Sequence, residues 1–340
     1  MDDVAVAPAP AAAGAGLWRR WGGALASYLL LVFVVLSLNF LLPRAMPGDP
    51  IDGLLAQGSA GFSLGEQSRA ALEHYYQLDG SLASQYRHYL ARTAHGDLGR
   101  SIVTNASVRK EIGRRLPWTL LLMGSSIALS TVLGLVAGVH SGWRRDRPVD
   151  RILLTSLLAV REFPSFLLAS LLLLVFAVKV RWLPLFGART PFVSYSPLGT
   201  VVDVGRHLVL PLAALTVGLT VGNYLIMRAG MVNELGSDYL LLGRAKGLGP
   251  RRLKYRYAAR NALLPVASLV ALQLGFALTG DVLVERVFSY PGLGQLLFDS
   301  IGARDYPTIQ GVFLVVSIGV ITANALADLL YRRLDPRTTP

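Results

Sequence analysis

Pro117-Trp-Thr-Leu-Leu-Leu-Met-Gly-Ser-Ser-Ile-Ala-Leu-Ser-Thr-Val-Leu-Gly-Leu-Val-Ala-Gly-Val-His140 lies between Arg115 and Arg144 and holds no acidic or basic chain other than its closing histidine. A helix rises about 1.5 Å per residue, so this run is long enough to cross the roughly 30 Å hydrocarbon core of a bilayer. Lipid offers no partner for backbone N–H and C=O groups, so a crossing segment must satisfy them internally, as a helix does. The alternation of apolar and polar residues that a membrane barrel needs is absent. Pro117 is expected in the first turn, where its missing N–H costs nothing. Gly134 and Gly138 stand four residues apart, a spacing that suits close approach of a second helix.

Five further runs have the same character. They cover about 22–42, 152–178, 207–231, 263–284 and 309–331, and with 117–140 they predict an all-α integral membrane protein with six transmembrane helices. The first run follows Arg19 and Arg20. Its apolar stretch is longer than the roughly 7–15 residues of a signal peptide, so it reads as a membrane anchor. Residues 1–20 are rich in Ala, Pro and Gly at their start and are expected to form a disordered cytoplasmic tail. The membrane domain extends over 21–331, with an external loop at 44–116, a cytoplasmic loop at 232–262 and a short cytoplasmic tail at 332–340. Ser68 to Leu90 is expected to form an outer helical subdomain. No internal repeat is evident.

Composition agrees. Of 340 residues, 53% are hydrophobic and only 16% charged, against about a quarter charged in soluble domains. A net charge of +12 on a soluble protein would suggest nucleic acid, but here the basic residues cluster between apolar runs. The chain has no cysteine, which excludes disulfides, thiolate metal sites and cysteine nucleophiles. The short loops set orientation. Arg144, Arg145, Arg147 and Arg151 follow the second run, and Arg244, Lys246, Arg251, Arg252, Lys254, Arg256 and Arg260 follow the fourth. Arg332, Arg333 and Arg337 join them on the side of Arg19 and Arg20. The opposing short loops hold fewer, namely Lys179, Arg181, Arg189 and Arg206 in one and Arg286 and Arg304 in the other. Both termini are therefore expected to be cytoplasmic.

The loop between the fourth and fifth runs is punctuated. Ser237 or Asp238 is suited to cap a helix N-terminus, Gly247 to end that helix in the left-handed conformation, and Pro250 to open another. The expected product is two short helices joined by a tight turn on the cytoplasmic face. Such a pair suits docking into a groove on another protein; a basic loop that binds anionic head groups is the blander alternative.

Within this segment Asp238-Tyr239, Arg244-Ala-Lys-Gly-Leu248 and Arg260-Asn-Ala-Leu-Leu-Pro265 resemble the cytoplasmic loop of binding-protein-dependent ABC importers of the dipeptide, oligopeptide and nickel permease family. Further stretches resemble the first of the two permeases in such systems. These are Met46-Pro-Gly-Asp-Pro50, Gly96-Asp-Leu-Gly-Arg-Ser101, Val287-Phe-Ser-Tyr-Pro-Gly-Leu-Gly294, Arg304-Asp-Tyr-Pro307 and Leu334-Asp-Pro-Arg337. The resemblance spans nearly the whole chain beyond about residue 17. It implies a permease subunit in a bacterial inner membrane that imports peptides or related small solutes. It implies a second homologous permease, two P-loop ATPases that use ATP and Mg, and an external solute-binding protein as partners. Asp238, Tyr239, Arg244, Ala245, Lys246, Gly247, Leu248, Arg260, Asn261 and Pro265 become the expected ATPase-coupling residues, with Gly247 as hinge. Leu241-Leu242-Gly243 departs from the family pattern of a polar residue followed by a small pair. It is expected to give more apolar docking contacts and, through Gly243, a helix weaker by about 1 kcal/mol than with Ala.

Polar residues inside apolar runs are candidates for the translocation path. Counted from Arg151, Glu162 lies roughly 16 Å into the core, where a charge calls for a cavity or a partner. It is expected to meet a cationic group such as a peptide amino terminus, or else to serve in a structural pair. Arg161, Asn223, Gln273 and Asp281 join it, although interhelical polar contacts explain most such residues. Arg228, Asn324 and Asp328 are weaker candidates, with Arg228 and Asp328 placed to snorkel.

The chain has no G-x-x-x-x-G-K-[ST], so no P-loop of its own, and no H-E-x-x-H or G-x-S-x-G. Its histidines, His74, His88, His95, His140 and His207, are scattered and expected to be solvated or interfacial, so no metal site, cofactor or catalytic set is expected. An ion-coupled secondary transporter or channel would also be a helical bundle, but it usually needs matched halves with broken midplane helices. A membrane enzyme would need convergent titratable groups, and only Glu162 stands out.

Overall fold

The computed structural model describes the backbone of residues 13–45 and 80–334, and the side chains of 28–45 and 80–325. Residues 1–12 and 335–340 of the expected tails, the Met46–Pro50 motif, most of Ser68–Leu90 and the side chain of Asp328 lie outside these residues, whereas residues 13–20, expected as disordered tail, are the start of the first helix and 332–334 the end of the last. Eleven helices are described: α1 (Ala13–Ala45), α2 (Leu82–Ala94), α3 (Val108–Trp143), α4 (Pro148–Arg161), α5 (Ser165–Lys179), α6 (Pro197–Glu234), α7 (Asp238–Ala245), α8 (Pro250–Thr279), α9 (Val282–Val287), α10 (Leu293–Gly302) and α11 (Tyr306–Leu334). Five of them are long and apolar enough to cross a membrane, and α4 with α5 makes a sixth as a bent pair. The protein is an all-α, multi-pass membrane bundle.

The elements differ from the expected runs in instructive ways. Helix α3 begins at Val108, so Pro117 sits in its interior rather than its first turn. Helix α6 begins at Pro197, with Ser196 Oγ accepting from Gly199 N at 3.2 Å. The run expected as one helix over 152–178 is broken: α4 and α5 meet at 93° across Glu162-Phe163-Pro164. Proline disfavours helical geometry in the residue before it and has no N–H to continue the ladder. The fifth run stops at Thr279 rather than 284. Gly280 follows at φ +64° and Asp281 then caps a new helix, accepting from Val284 N at 3.0 Å.

The most extensive pairing joins α3 and α6. Gly134, Gly138 and Gly142 form a stripe on α3, and a Cβ on each would come within 2.5–2.6 Å of the Cβ of Asn223, Met227 and Met231. Both series climb by four residues together, so the two helices run parallel and their backbones nearly touch. Parallel neighbours need a connection back across the bundle, and α4 with α5 supplies it. Close approach of small residues is how helices associate where lipid gives no hydrophobic drive between them.

Two apolar clusters occupy the two ends of the bundle. One packs Leu122, Ile127, Ala169, Leu210, Phe288 and Tyr290 together. The other packs Met227, Met231, Leu240, Leu253, Ala262 and Val266 and holds the α7 loop.

Candidate functional site

Helix α7 is a short rod pinned on one side and bare on the other. Ser237 occupies its N-cap position in extended geometry, but the hydroxyl turns back to donate to Glu234 O at 2.6 Å and caps nothing. The expected side-chain cap is therefore not formed, although Asp238 in the first turn still favours the positive end of the helix dipole. The other end follows expectation. Gly247 has φ +76°, with Gly247 N donating to Arg244 O at 2.9 Å and Leu248 N to Gly243 O at 3.0 Å. This is the paired closing of a Schellman motif.

Pro250 opens a helix as expected, but not a short one. It begins α8, which continues unbroken to Thr279 through a π-helical turn at Leu253–Ala258. The expected pair of short helices is therefore one short helix hinged to a membrane-crossing one. Beneath α7, Leu240 is fully buried, and a Cβ on Gly243 would lie 2.6 Å from Leu253 Cδ2. Gly243 permits the close packing of α7 on α8, so it is a contact requirement and not a docking variation. Above, Leu241 and Leu242 are 54% and 55% exposed. Arg244, Ala245, Lys246 and Gly247 are exposed with them, as are Asp238, Arg260, Asn261 and Pro265, while Leu248 is half-buried. Tyr239 is half-buried; its hydroxyl donates to Glu234 Oε2, and burial pushes its pKa up.

The rod is wired into the bundle. Leu240 and Leu253 share a cluster with Met231, and Met231 lies against Gly142. One turn away, Asp150 is buried and accepts from Arg228 Nε and Nη2 at 2.7 Å each. Ser141 Oγ also donates to Asp150 and meets Tyr224 Oη at 2.7 Å. This network ties α3, the start of α4 and α6 together just below α7. Arg228 is thus paired and does not snorkel.

The expected path residues fall into separate places. Asn223 is fully buried, donating to Ser130 Oγ and accepting from Gln273 Nε2, both at 3.3 Å. Asn223 and Gln273 therefore form one polar link across α3, α6 and α8. Asp281 is outside the α8 span, capping α9 and accepting from Ser165 Oγ at 2.8 Å, just past the α4–α5 break. Arg161 and Glu162 sit exposed at that break, and their side chains make no hydrogen bond or ion pair to another described residue. Glu162 is thus a helix-end residue at a bend, not a mid-helix charge. His207 is buried beside Asp203 rather than solvated. Among the described residues no group of His, Asp or Glu is arranged to hold a metal ion.

Sequence reasoning missed Glu285. It is wholly buried, accepting from Thr119 Oγ1 at 2.9 Å and from Gln295 N at 3.0 Å. Glycines surround it: a Cβ at Gly292 would come within 2.3 Å of the carboxylate, and one at Gly280 or Gly294 within 2.9 Å. Burial raises its pKa, opposed by these hydrogen bonds. The signal was present in Glu285 standing just before the glycine-bearing 287–294 motif, since glycines packed around a carboxylate let backbone approach it.

The chain is thus an all-α, multi-pass bundle with a short helix exposed on one side at one end. Residues 130–340 match the family described as binding-protein-dependent transport system inner membrane component. The chain belongs to this family and is a permease component of such a system. It is 36% identical over 307 residues to the glutathione transport system permease protein GsiC of Escherichia coli O6:H1, covering 90% of this chain and 94% of GsiC. GsiC of Escherichia coli K12 shows the same identity and coverage. A protein of Brucella suis biovar 1, named as a candidate peptide permease, is 36% identical over 316 residues, covering 93% of this chain and 95% of its own.

Proposed function

We propose that this permease forms half of the path of an ATP-driven importer for peptides or peptide-like solutes, and that α7 is where separate ATPase subunits drive it. The observation that carries the reading is the two-sided build of α7, anchored below by Leu240 and Gly243 and bare above at Leu241, Leu242, Arg244 and Lys246. A surface held rigid by its underside and closed by a Schellman turn suits transmission of force. ATPase closure would push α7, move α6 and α8 through Met231 and Leu253, and shift the bundle between two states biased by nucleotide. The α7 end is cytoplasmic in this reading, with both termini on the same side. A second permease, two P-loop ATPases using ATP and Mg, and an external binding protein complete the system.

The likeness to glutathione and peptide permeases supports a peptide-type cargo. Glu162, exposed at the α4–α5 bend with Arg161, is the residue we assign to meet a cationic group on that cargo. Asn223 and Gln273 are assigned to helix association, and Asp281 to capping. The bent α4–α5 pair is the one feature a secondary transporter would share, but no matching second pair occurs among the described residues.

The test is purification of the tagged chain from its native membrane in mild detergent. A second six-helix permease and P-loop ATPases that co-purify, with the ATPases lost on Gly247→Asp, is the expected result. A folded chain that carries no ATPase overturns the reading.

A further inference from the structure

The end of α6 far from α7 carries exposed apolar side chains at a height that acyl chains do not reach. Gly134, Gly138 and Gly142 of α3 lie against Asn223, Met227 and Met231 of α6, so counting back residue for residue sets Val108 level with Pro197. Leu198, Val201 and Val202, all exposed, therefore stand where α3 carries Arg109, Lys110, Glu111, Arg114 and Arg115. Charges packed that densely do not lie in hydrocarbon. On α6 itself the stretch free of Asp, Glu, Lys and Arg runs from His207 to Met227, about 30 Å and so the thickness of the core. Leu198 then lies roughly 13 Å beyond it, past the roughly 5–7 Å that head groups add on each side.

The loop before α6 adds to this surface. Trp182, Phe186 and Phe192 are exposed, yet the backbone that bears them is fixed. Trp182 O accepts from Arg206 Nη2 at 3.1 Å, and Gly187 N donates to Phe288 O at 2.9 Å. Thr190 donates from N and Oγ1 to the Asp203 carboxylate at 2.7 Å each. Ala188 is buried in the cluster that holds Phe288. Phe192 sits at φ +59°, a left-handed conformation that a bulky residue adopts only where its surroundings impose it. Apolar groups gathered on a water-facing surface mark a place where protein binds.

Cations stand around them. Lys179, Arg181, Arg189 and Arg206 are exposed, and none makes an ion pair among the described residues. The one acidic residue from 179 to 206, Asp203, is turned to Thr190 and His207. Aromatic and arginine side chains are enriched at protein interfaces. The surplus of positive charge selects a partner that presents carboxylates.

We propose that the 182–192 loop and the first turns of α6 dock a water-soluble protein whose contact face is apolar at its centre and acidic at its edge. The identity of that partner rests on the importer reading above, in which it is the external binding protein. The surface includes neither α7 nor the residues assigned to the path. The test is a spin label on Phe192→Cys, the only thiol in the chain, in the importer assembled in nanodiscs with cysteine-free partner subunits. It is read with and without the purified cognate binding protein. The label is expected to be open to an aqueous nickel reagent alone and shielded from it once the binding protein is added. Phe192→Ala is expected to raise the binding-protein concentration that half-saturates uptake roughly ten-fold, at an unchanged maximum rate. Arg181→Gln with Arg189→Gln raises it about five-fold, an effect that fades at high salt. Leu82→Ala, exposed on α2 outside this surface, leaves it unchanged. A label reached by lipid-soluble oxygen rather than by nickel assigns the face to the membrane and overturns the proposal. Shielding before the binding protein is added assigns it to a contact within the importer and overturns it too, as does unchanged half-saturation in both surface variants. ATPases retained in every variant keep these outcomes distinct from a failure of the α7 reading.

Discussion

Gly247 stands at φ +76°, a conformation in which a residue with a Cβ loses roughly 1–2 kcal/mol. Nothing crowds its Cβ position, so the demand is on the backbone alone. Gly247→Ala is expected to insert normally and lower transport in part, measured as ATP-dependent uptake; full uptake would deny the turn a role. Four residues earlier, Gly243 is needed for the opposite reason, contact rather than conformation. The sequence made Gly247 legible, because a glycine after a helical run followed by proline has one common meaning. It left Gly243 misread, because a close approach depends on Leu253 in another helix. Glu285 was hidden for the same reason: its partners Thr119 and Gln295 lie in different elements. Its raised pKa makes a prediction with a definite sign. Folding that favours the protonated carboxyl gives stability that is complete below the ordinary value of 4.5 and lost as pH rises through the folded value. Thermal melting of the wild type in detergent should therefore fall with rising pH in that window, and Glu285→Gln should flatten the fall. An identical pH profile in the variant would remove Glu285 as its source.

At the level of elements, hydropathy located every span that the structure describes, because lipid forces helices wherever the chain is apolar for long enough. Its failures were at ends and bends. Helix α3 overran Pro117, since tertiary packing holds a proline inside a membrane helix. The 152–178 run hid a right-angled turn, because the apolar stretches on either side of Arg161-Glu162-Phe163-Pro164 together have the length of one span while the backbone turns between them. Two predictions belong here. Arg228→Gln strands Asp150, buried and otherwise held by Ser141 and the Asp146 amide. It should lower the melting temperature by an amount equivalent to about 3 kcal/mol or somewhat less, given that Arg228 is partly exposed. Adding Asp150→Asn should recover much of that loss; no recovery would mean that the two residues act separately. Glu162→Gln at the bend should change uptake of cationic peptides more than of anionic ones without altering the melting temperature. Equal uptake of both would leave Glu162 without a role in the path.

For the whole molecule, the bundle presents one anchored handle, α7, bare on its upper side and continuous below with the α3–α6–α8 packing. Its class was legible from six apolar runs and one punctuated loop. The wiring from Leu240 through Met231 to Gly142 was not, because it joins residues about a hundred positions apart. An ATPase that drives this permease through α7 must lie within cross-linking reach of its bare side. The chain has no cysteine of its own, so a single cysteine introduced at Leu242 is the only thiol it offers to a cross-linker. Leu198, 75% exposed at the far end of α6, provides the control. The measurement is cross-linking in native membranes followed by identification of the partner. Leu242→Cys is expected to join the chain to a P-loop ATPase in a nucleotide-sensitive way, and Leu198→Cys is not. No ATPase captured at Leu242, or equal capture at both sites, would contradict it.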